Sequence, residues 1–469
     1  MSALWVPLIL FLQVPIGLGL LRILRIRLLT HQQIALGVLV GLPLSSLVVL
    51  LLDIAGIRIT LLSVLLGFTC VAVALNWPRR GRLRREPPAP QTPQPGLKIC
   101  EWPFIAFFIG IAAISVWRAF YLPVTLRDAI LGLDLVAKYA VEQGTLRSTI
   151  FTDPWLQGHL SNQPFYAPFP MLMQVVFRLA GLPFGQVWLS ALFISFVVFF
   201  YGRLRESVHP LIAGVIMVLL LAVPEMYAHT FMVLNDYPTA VFFGLAMVFF
   251  LEHDRRRRRS SFILSALFLG FACWTRSDTI IFVPLGALLV AWRARRVART
   301  EHERADFRVA WTSGLVFMAI PAAFVLLWHA LYLGLVLRQG PAGAGFTGNL
   351  DFLTLPGEFY RTAWLFGQTS VYGYLAFVFL AAAIVNRVFL RDRSASVLLA
   401  WVAILYLGFV VILFAFSAAS LEGTLKRGLF KFFPLMALYL GESRLLHLVS
   451  EKIERWEEGT AISRPDVAR

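Results

Sequence analysis

Two carboxylates stand close together in the stretch LRDAILGLD, residues 126–134, soon after a long apolar run that ends at Tyr121. Asp134 precedes Lys138 by one helical turn, the spacing at which side chains on a helix meet. Asp128 lies nearer to the end of the apolar run. A carboxylate at this position could act as a base that takes a proton from a hydroxyl group. We therefore treat Asp128 as a candidate functional residue, and we expect Asp134 to pair with Lys138 on a helix surface.

Charged residues also stand at the ends of later apolar runs. Asp236 lies in NDYP at the start of a predicted helix, where it can cap the helix N-terminus or line a site. The sequence WTRSD places Arg276 and Asp278 in a turn too short to reach far from a bilayer. Ionisable residues at membrane depth mark either a functional site or a structural ion pair. Both interpretations stay open for these residues.

Three cations, Lys426, Arg427 and Lys431, lie in TLKRGLFKFFP near the end of the chain. Cations at a helix end near the bilayer need an anionic partner, such as a lipid phosphate, or reach the interface as snorkelling side chains. Carboxylates that accept a proton and cations that stabilise a leaving phosphate are the groups that a transferase needs for a lipid-phosphate donor. The pattern favours such a transferase.

The composition indicates which elements must position these residues. Of 469 residues, 59% are hydrophobic and only 14% are charged, which leaves too little polar surface for a soluble protein of this size. The recurring apolar runs are long enough to cross or nearly cross about 30 Å of hydrocarbon. The three cysteines lack C-x-x-C spacing, so neither a zinc site nor a disulfide framework is indicated. We predict an all-α polytopic membrane protein.

We predict about 13 transmembrane helices, within a range of roughly 11 to 14. The predicted spans are 4–20, 34–52, 59–76, 103–121, 187–201, 211–223, 238–251, 262–275, 279–292, 309–335, 371–385, 397–416 and 428–441. Most of the 42 Lys and Arg residues then fall in loops on one side, which the positive-inside rule makes cytoplasmic. The N-terminus is therefore expected outside and the C-terminus inside.

One apolar run does not fit this alternation. If residues 166–181 crossed the membrane, the later arginine-rich loops would lie outside. The run contains Pro168 and Pro170 near its start and Arg178 near its end. We predict instead a juxtamembrane or re-entrant helix on the outer face, within a large outer loop of residues 122–186.

Four parts follow one another along the chain. They are three N-terminal transmembrane helices in 1–76, a basic Pro-rich cytoplasmic linker in 77–101, a transmembrane catalytic module in 102–441 and a cytoplasmic tail in 442–469. The linker composition, PPAPQTPQPG, is typical of a flexible linker between the N-terminal helices and the rest of the chain.

Several short motifs occur in order along residues 103–441. The matching residues are Asp128, Tyr139, Ala140 and Gly144 in the first outer loop, Pro164, Tyr166, Pro168 and Pro170 in a Pro- and aromatic-rich helix, Asp236 and Pro238 at a helix mouth, Arg276 and Asp278 in GFACWTRSD, and Arg427 and Pro434 near the end. This set resembles the GT-C superfamily of polytopic glycosyltransferases, which includes protein O-mannosyltransferases and the aminoarabinose transferase that modifies lipid A. The three helices before residue 100 and the single acid at Asp128, followed by Ala129, depart from the family plan.

The resemblance implies an inverting glycosyltransferase. It would transfer a sugar from a polyprenyl-phosphate donor to a glycolipid, glycan or protein acceptor on the periplasmic face of a bacterial inner membrane, with no nucleic-acid partner. Asp128 would be the catalytic base. The implied substrate-binding residues are Asp236, Arg276, Asp278, Tyr166 and Lys138, and the implied donor-phosphate residues are Arg427, Lys431 and Lys426. A divalent metal ion held by Asp128 and Asp236 stays an open alternative.

Two other functions stay open. A polymerase or ligase of lipid-linked glycans would also work outside, but it would use a long outer loop late in the chain, and residues 336–370 are only moderate in length. A transporter or flippase would need ionisable residues that face each other along several mid-membrane helices, and often an internal repeat. The sequence has no convincing repeat. The charged residues that can be positioned relative to the predicted spans lie at the outer ends of helices.

Overall fold

The computed structural model describes residues 4–77, 96–160, 166–181, 185–256, 258–300, 306–337, 355–415 and 426–462. Within these ranges the regular structure is helical throughout, without a strand. Most of the predicted linker, part of the loop at 336–370 and the motif residue Pro164 lie outside the described residues. The all-α prediction is confirmed for the part that is described.

The first half of the chain contains eleven of the α-helices that the described ranges hold. They are α1 (Trp5–Ile23), α2 (Thr30–Ile54), α3 (Leu61–Asn76), α4 (Trp102–Tyr121), α5 (Asp134–Gln143), α6 (Thr149–Thr152), α7 (Pro154–Gly158), α8 (Phe169–Leu179), α9 (Val187–Arg205), α10 (Pro210–Leu221) and α11 (Pro224–Ala228). A 3-10 turn, Ile99–Glu101, leads into α4, and a π turn, Ala129–Leu133, leads into α5.

The second half continues after a 3-10 turn, His229–Phe231. Its helices are α12 (Asp236–Arg256), α13 (Arg259–Thr275), α14 (Phe282–Thr300), α15 (Asp306–Leu326), α16 (Leu355–Phe366), α17 (Thr369–Tyr372), α18 (Leu375–Ile384), α19 (Ser396–Ala415), α20 (Lys426–Gly428), α21 (Phe432–Glu442) and α22 (Arg444–Ile462). Two 3-10 turns, Ser277–Ile281 and Leu429–Lys431, precede α14 and α21, and π segments, Leu327–Val336 and Val385–Phe389, extend α15 and α18.

Each predicted span falls largely on a helix, but fewer helices can cross a membrane by length and composition alone. Six of those described can do so. They are α1, α2, α4 with its preceding turn, α9, the stretch Thr312–Val336 and most of α19. The bent pair Pro210–Leu221 and Pro224–Phe231, with 76° between its halves, would make a seventh. These helices are compatible with a multi-pass membrane protein, and about thirteen crossings stays a prediction.

The apolar run at 166–181 forms α8, which is buried from Phe169 to Phe177. Its 11 residues extend about 17 Å at 1.5 Å per residue, little more than half of the hydrocarbon thickness of a bilayer. The helix packs against α2, α5 and α9. Its length is too short for a crossing and suits the predicted juxtamembrane or re-entrant helix.

Hydrogen bonds mark two opposite ends of the helices. Before α9, Gln186 Nε2 donates to the carbonyl of Leu122, which follows α4, at 2.8 Å. At the other end of α9, Arg205 donates to the carboxylate of Glu101, which precedes α4, at 3.0 Å. The two helices are therefore antiparallel. We call the first the Asp128 end, because Asp128 lies close after α4, and the second the Arg205 end.

The Arg205 end also carries the tail helix α22. Glu457 of this helix forms an ion pair with Lys98 at 2.7 Å, and the hydrogen bond from Lys98 lowers the pKa of Glu457. The carboxylate therefore stays charged at neutral pH. The same end includes the Arg293–Asp254 pair at 2.5 Å. Concentrated basic residues are typical of a cytoplasmic face.

The three N-terminal helices are joined to the rest of the fold through Asp53 near the end of α2. This residue is 3% exposed. It accepts hydrogen bonds from Thr145 Oγ1 at 2.7 Å, from the Leu146 amide at 2.8 Å and from Tyr332 Oη at 2.7 Å, and Arg147 Nε lies 3.5 Å away. The loop after α5 is thus attached to the N-terminal helices, which gives them a structural role that the sequence left open.

We expect Asp53→Ala to lower the free energy of unfolding by about 3 kcal/mol, because it leaves the buried donors of Leu146 and Tyr332 without an acceptor. Thermal unfolding in detergent measures the loss, and limited proteolysis between residues 144 and 160 shows whether the loop detaches. Glu142→Ala is the control, since this carboxylate is exposed and its removal should change stability by about 0.5 kcal/mol or less. Equal stability of the Asp53 variant and the wild type would contradict the role.

Candidate functional site

Charged side chains from four separate segments form one continuous chain of ion pairs at the Asp128 end. Arg427 Nη2 lies 3.2 Å from Asp128 Oδ2, and Arg427 Nη1 lies 3.8 Å from Asp236 Oδ2. Arg276 pairs with the other carboxylate oxygen of Asp236, and its Nε lies 2.8 Å from Asp278 Oδ2. We call these five residues the ion-pair cluster. The structure brings together residues that the sequence singled out individually.

Helix ends hold each member of the cluster. Asp128 directly precedes the π turn before α5, and Asp236 is the first residue of α12. Pro238 falls in the first turn of α12, where its missing amide costs no hydrogen bond. Arg276 has an extended backbone, with φ at −150°, which ends α13 before the next 3-10 turn. Arg427 lies in α20. The cluster therefore depends on where helices begin and end.

Burial divides the cluster into two halves. The side chains of Asp236 and Arg276 are 4% and 15% exposed, whereas those of Asp128, Arg427 and Asp278 are 22%, 27% and 32% exposed. A buried ion pair that loses one partner leaves an uncompensated charge, which is costly. A partly exposed pair can exchange its partner for a ligand at lower cost. The Arg427–Asp128 half is thus the part of the cluster that suits ligand binding.

The other predicted phosphate-binding residues differ in their surroundings. Lys431 is 2% exposed, and its Nζ lies 5.4 Å from the centre of the Phe409 ring. It also lies close enough to Asp278 to interact electrostatically. Because it is buried, the snorkelling interpretation does not describe it. Lys426 Nζ lies 3.4 Å from Glu225 Oε1, outside the ion-pair cluster.

The predicted substrate residue Tyr166 lies before α8. It is near enough to Arg276 for an electrostatic interaction, so it borders the ion-pair cluster.

The predicted pair of Asp134 and Lys138 is wrong. Arg178 of α8 contacts both oxygens of Asp134, at 2.8 and 2.5 Å, and Gln174 Nε2 donates to Asp134 Oδ1 at 2.8 Å. Lys138 is exposed and lies 3.9 Å from Glu142. Arg178, which lies on a helix more distant in the sequence, therefore pairs with Asp134 in place of Lys138. Lys138 lies outside the ion-pair cluster. Its role in substrate binding stays a prediction.

A cavity of about 170 Å³ is lined in part by residues that stand close to Asp128 in the sequence. Its lining includes Leu126 and Ala129 on one side and the segment Phe231, Met232 and Val233 on another. Arg118 of α4 also lines it, with the guanidinium carbon 4.9 Å from the centre of the Phe231 ring. The cavity offers space for a small group between the segment that carries Asp128 and the segment that precedes Asp236.

The donor set does not fit a divalent metal ion. Among the described residues, no group of three or more His, Cys, Asp and Glu side chains is arranged to hold one. The two predicted ligands, Asp128 and Asp236, both face the Arg427 guanidinium. The arginine supplies the positive charge at this position, so no step of the chemistry below uses a metal.

Comparison with protein families, curated proteins and solved structures finds no match. The resemblance to GT-C enzymes therefore rests on the ordered motifs. The sequence did not single out Asp53, Arg178 or His229 as site or scaffold residues. Asp53 had a usable signal, a lone acid at the end of an apolar run, which is the same signal that Asp128 shows.

Proposed function

We propose that the protein is a GT-C-like membrane glycosyltransferase that moves a sugar from a polyprenyl phosphate to an acceptor hydroxyl at the Asp128 end. The contact between Arg427 and Asp128 carries the proposal. A guanidinium, which suits a phosphate, lies 3.2 Å from a carboxylate, which suits a hydroxyl proton. Both side chains stay partly exposed, so substrates can reach them.

Donor binding would rearrange this contact. A phosphate binds a guanidinium through charge-assisted hydrogen bonds that can be bidentate. When the donor phosphate takes Arg427, the carboxylate of Asp128 is released to accept the hydrogen of the acceptor hydroxyl. Asp236 keeps its pairing with Arg276, so the buried carboxylate of Asp236 still has a cation beside it. The order of events would thus be donor first and proton acceptance second.

The transfer step balances in one displacement. The acceptor oxygen attacks the anomeric carbon of the donor sugar while its proton passes to Asp128. The bond between that carbon and the phosphate oxygen breaks, and the electron pair leaves with the polyprenyl phosphate. Arg427 and the buried Lys431 stabilise the charge that develops on the leaving phosphate. Asp128 then returns the proton to water, and the anomeric configuration is inverted.

In this function the Asp128 end lies at the periplasmic face of a bacterial inner membrane, with the N-terminus periplasmic and the C-terminus cytoplasmic. The basic residues of the Arg205 end support this orientation. The position of the ion-pair cluster at helix ends favours an enzyme over a transporter, which would use ionisable residues along mid-membrane helices. The acceptor is a glycolipid, a glycan or a protein.

Cells that lack the gene are expected to lose one sugar from a glycolipid, glycan or protein and to accumulate sugar-bearing polyprenyl phosphate. Mass spectrometry of lipid extracts and surface glycans measures both changes. The wild-type gene returned on a plasmid should restore the sugar, and the Asp128→Asn gene at equal protein level should not. Unchanged glycans without donor accumulation would contradict the proposed function.

A further inference from the structure

Two buried side chains near Asp236 each leave an acceptor atom without a partner. His229 is 4% exposed and Asn235 is 6% exposed. Within the described part of the chain, His229 Nε2 and Asn235 Oδ1 form no hydrogen bond. Buried polar atoms are usually paired, and each exception calls for an explanation. In the sequence the two residues stand two positions before and two positions after the segment 231–233, which lines the 170 Å³ cavity.

The donor atom of each side chain is already engaged, which fixes what the other atom offers. His229 Nδ1 lies 2.7 Å from the Glu225 carbonyl. A carbonyl only accepts, so Nδ1 carries a proton, and in the neutral ring Nε2 presents a lone pair. Asn235 Nδ2 donates to the Thr275 carbonyl at 2.7 Å, which leaves Oδ1 as the remaining acceptor. An edge-to-face contact with Phe430, at 4.9 Å between ring centroids, holds the His229 ring.

Two acceptors call for a ligand that donates hydrogen bonds. A phosphate cannot satisfy them, because its oxygens also accept. Hydroxyl groups can, and a sugar presents several of them at short spacing. Burial strengthens the discrimination, since a ligand without the hydroxyls leaves both acceptors unpaired.

The surroundings of His229 connect this residue with the proposed donor site, and Asn235 directly precedes Asp236 in the chain. His229 lies close enough to Arg427 and Asp236 to interact electrostatically. Phe430, which contacts its ring, follows Arg427 by three positions. A sugar attached to a phosphate at Arg427 would therefore lie in the neighbourhood of His229.

We propose that His229 Nε2 and Asn235 Oδ1 accept hydrogen bonds from hydroxyl groups of the donor sugar and help to select it. This inference rests on the proposed function and assigns to the same site the residues that recognise the sugar. The phosphate and the sugar are then recognised by separate groups, cations for the first and neutral acceptors for the second.

The test measures binding of two kinds of lipid to the purified full-length protein in nanodiscs. The probes are undecaprenyl phosphate alone and undecaprenyl phosphate that carries glucose, galactose, mannose or 4-aminoarabinose. We expect the wild type to bind at least one sugar-bearing probe more tightly than the bare lipid. His229→Phe keeps a ring against Phe430 and removes the acceptor, so it should lose about tenfold in affinity for that probe and about twofold or less for the bare lipid.

Two further variants separate recognition from packing. His229→Gln offers an amide oxygen in place of Nε2 and should recover part of the preference. Trp401→Phe is the matched control, because it removes a buried Nε1 that also has no partner among the described residues. It packs on Phe243 and Phe250, outside the ion-pair cluster, and should change neither affinity.

The outcomes distinguish this inference from the function on which it rests. Sugar preference that persists in His229→Phe, equal losses for both kinds of probe, or no preference in the wild type would overturn the inference. The proposed function would survive any of these results if Arg427→Ala still weakened binding of the bare lipid. Failure of the wild type to bind undecaprenyl phosphate would overturn the proposed function itself.

Discussion

Asp128→Asn is expected to reduce sugar transfer by about a hundredfold or more while the protein stays folded and inserted in the membrane. The carboxamide has the size of the carboxylate but cannot accept the proton of the acceptor hydroxyl. The cost in stability should be about 1 kcal/mol or less, because the Asp128–Arg427 pair is partly exposed and solvent screens it. Arg427 also keeps Asp236 as a neighbour. Activity and stability should therefore separate in this variant.

The measurement compares transfer from a polyprenyl-phosphate sugar with thermal unfolding of the same purified preparation. Asp134→Asn is the matched control, since Asp134 stands six positions further along the chain and its carboxylate pairs with Arg178 in a less exposed setting. It should lower the midpoint of unfolding, and the folded fraction should keep its turnover number. Full transfer activity in Asp128→Asn would remove Asp128 as the base.

The helices could be predicted because burial in a membrane or in a helical core demands long apolar runs, and such runs are visible in the sequence. The partners of the charged residues could not. A spacing of one turn assigned Asp134 to Lys138, but Arg178, 44 positions away, approaches Asp134 instead. The contact between Arg427 and Asp128 joins residues 299 positions apart. Only helix packing decides such contacts, and a single sequence does not encode it in any local pattern.

In the candidate site, too, the individual residues could be predicted and their contacts could not. Asp128, Asp236, Arg276, Asp278 and Arg427 were predicted one by one, because charges at the ends of apolar runs need a reason to be there. Their arrangement as one cluster was not predictable. The interpretation of Lys431 also changes, because its burial excludes a snorkelling side chain. His229 had no signal in the sequence, because a lone His in a loop becomes informative only when both of its nitrogens can be placed.

Arg427→Ala is expected to weaken binding of undecaprenyl phosphate by about tenfold to a hundredfold, which is the effect of losing charge-assisted hydrogen bonds. The folded structure should persist, because Asp128 is partly exposed and Asp236 remains paired with Arg276. Arg427→Lys should recover only part of the affinity, since an ammonium group keeps the charge but not the bidentate geometry. Lipid binding and thermal unfolding are measured on the same protein.

Arg276→Ala is the comparison variant, because we expect it to lose stability rather than lipid affinity. Arg276 pairs with both Asp236 and Asp278 within the protein. Its removal leaves the buried carboxylate of Asp236 with the more distant Arg427, at 3.8 Å, as its ion-pair partner, at a cost of about 3–5 kcal/mol. We therefore expect Arg276→Ala to express poorly or to unfold, whereas Arg427→Ala folds and binds the donor more weakly. A folded Arg427→Ala protein that binds undecaprenyl phosphate as the wild type does would show that Arg427 stabilises Asp128 and Asp236 and holds no phosphate.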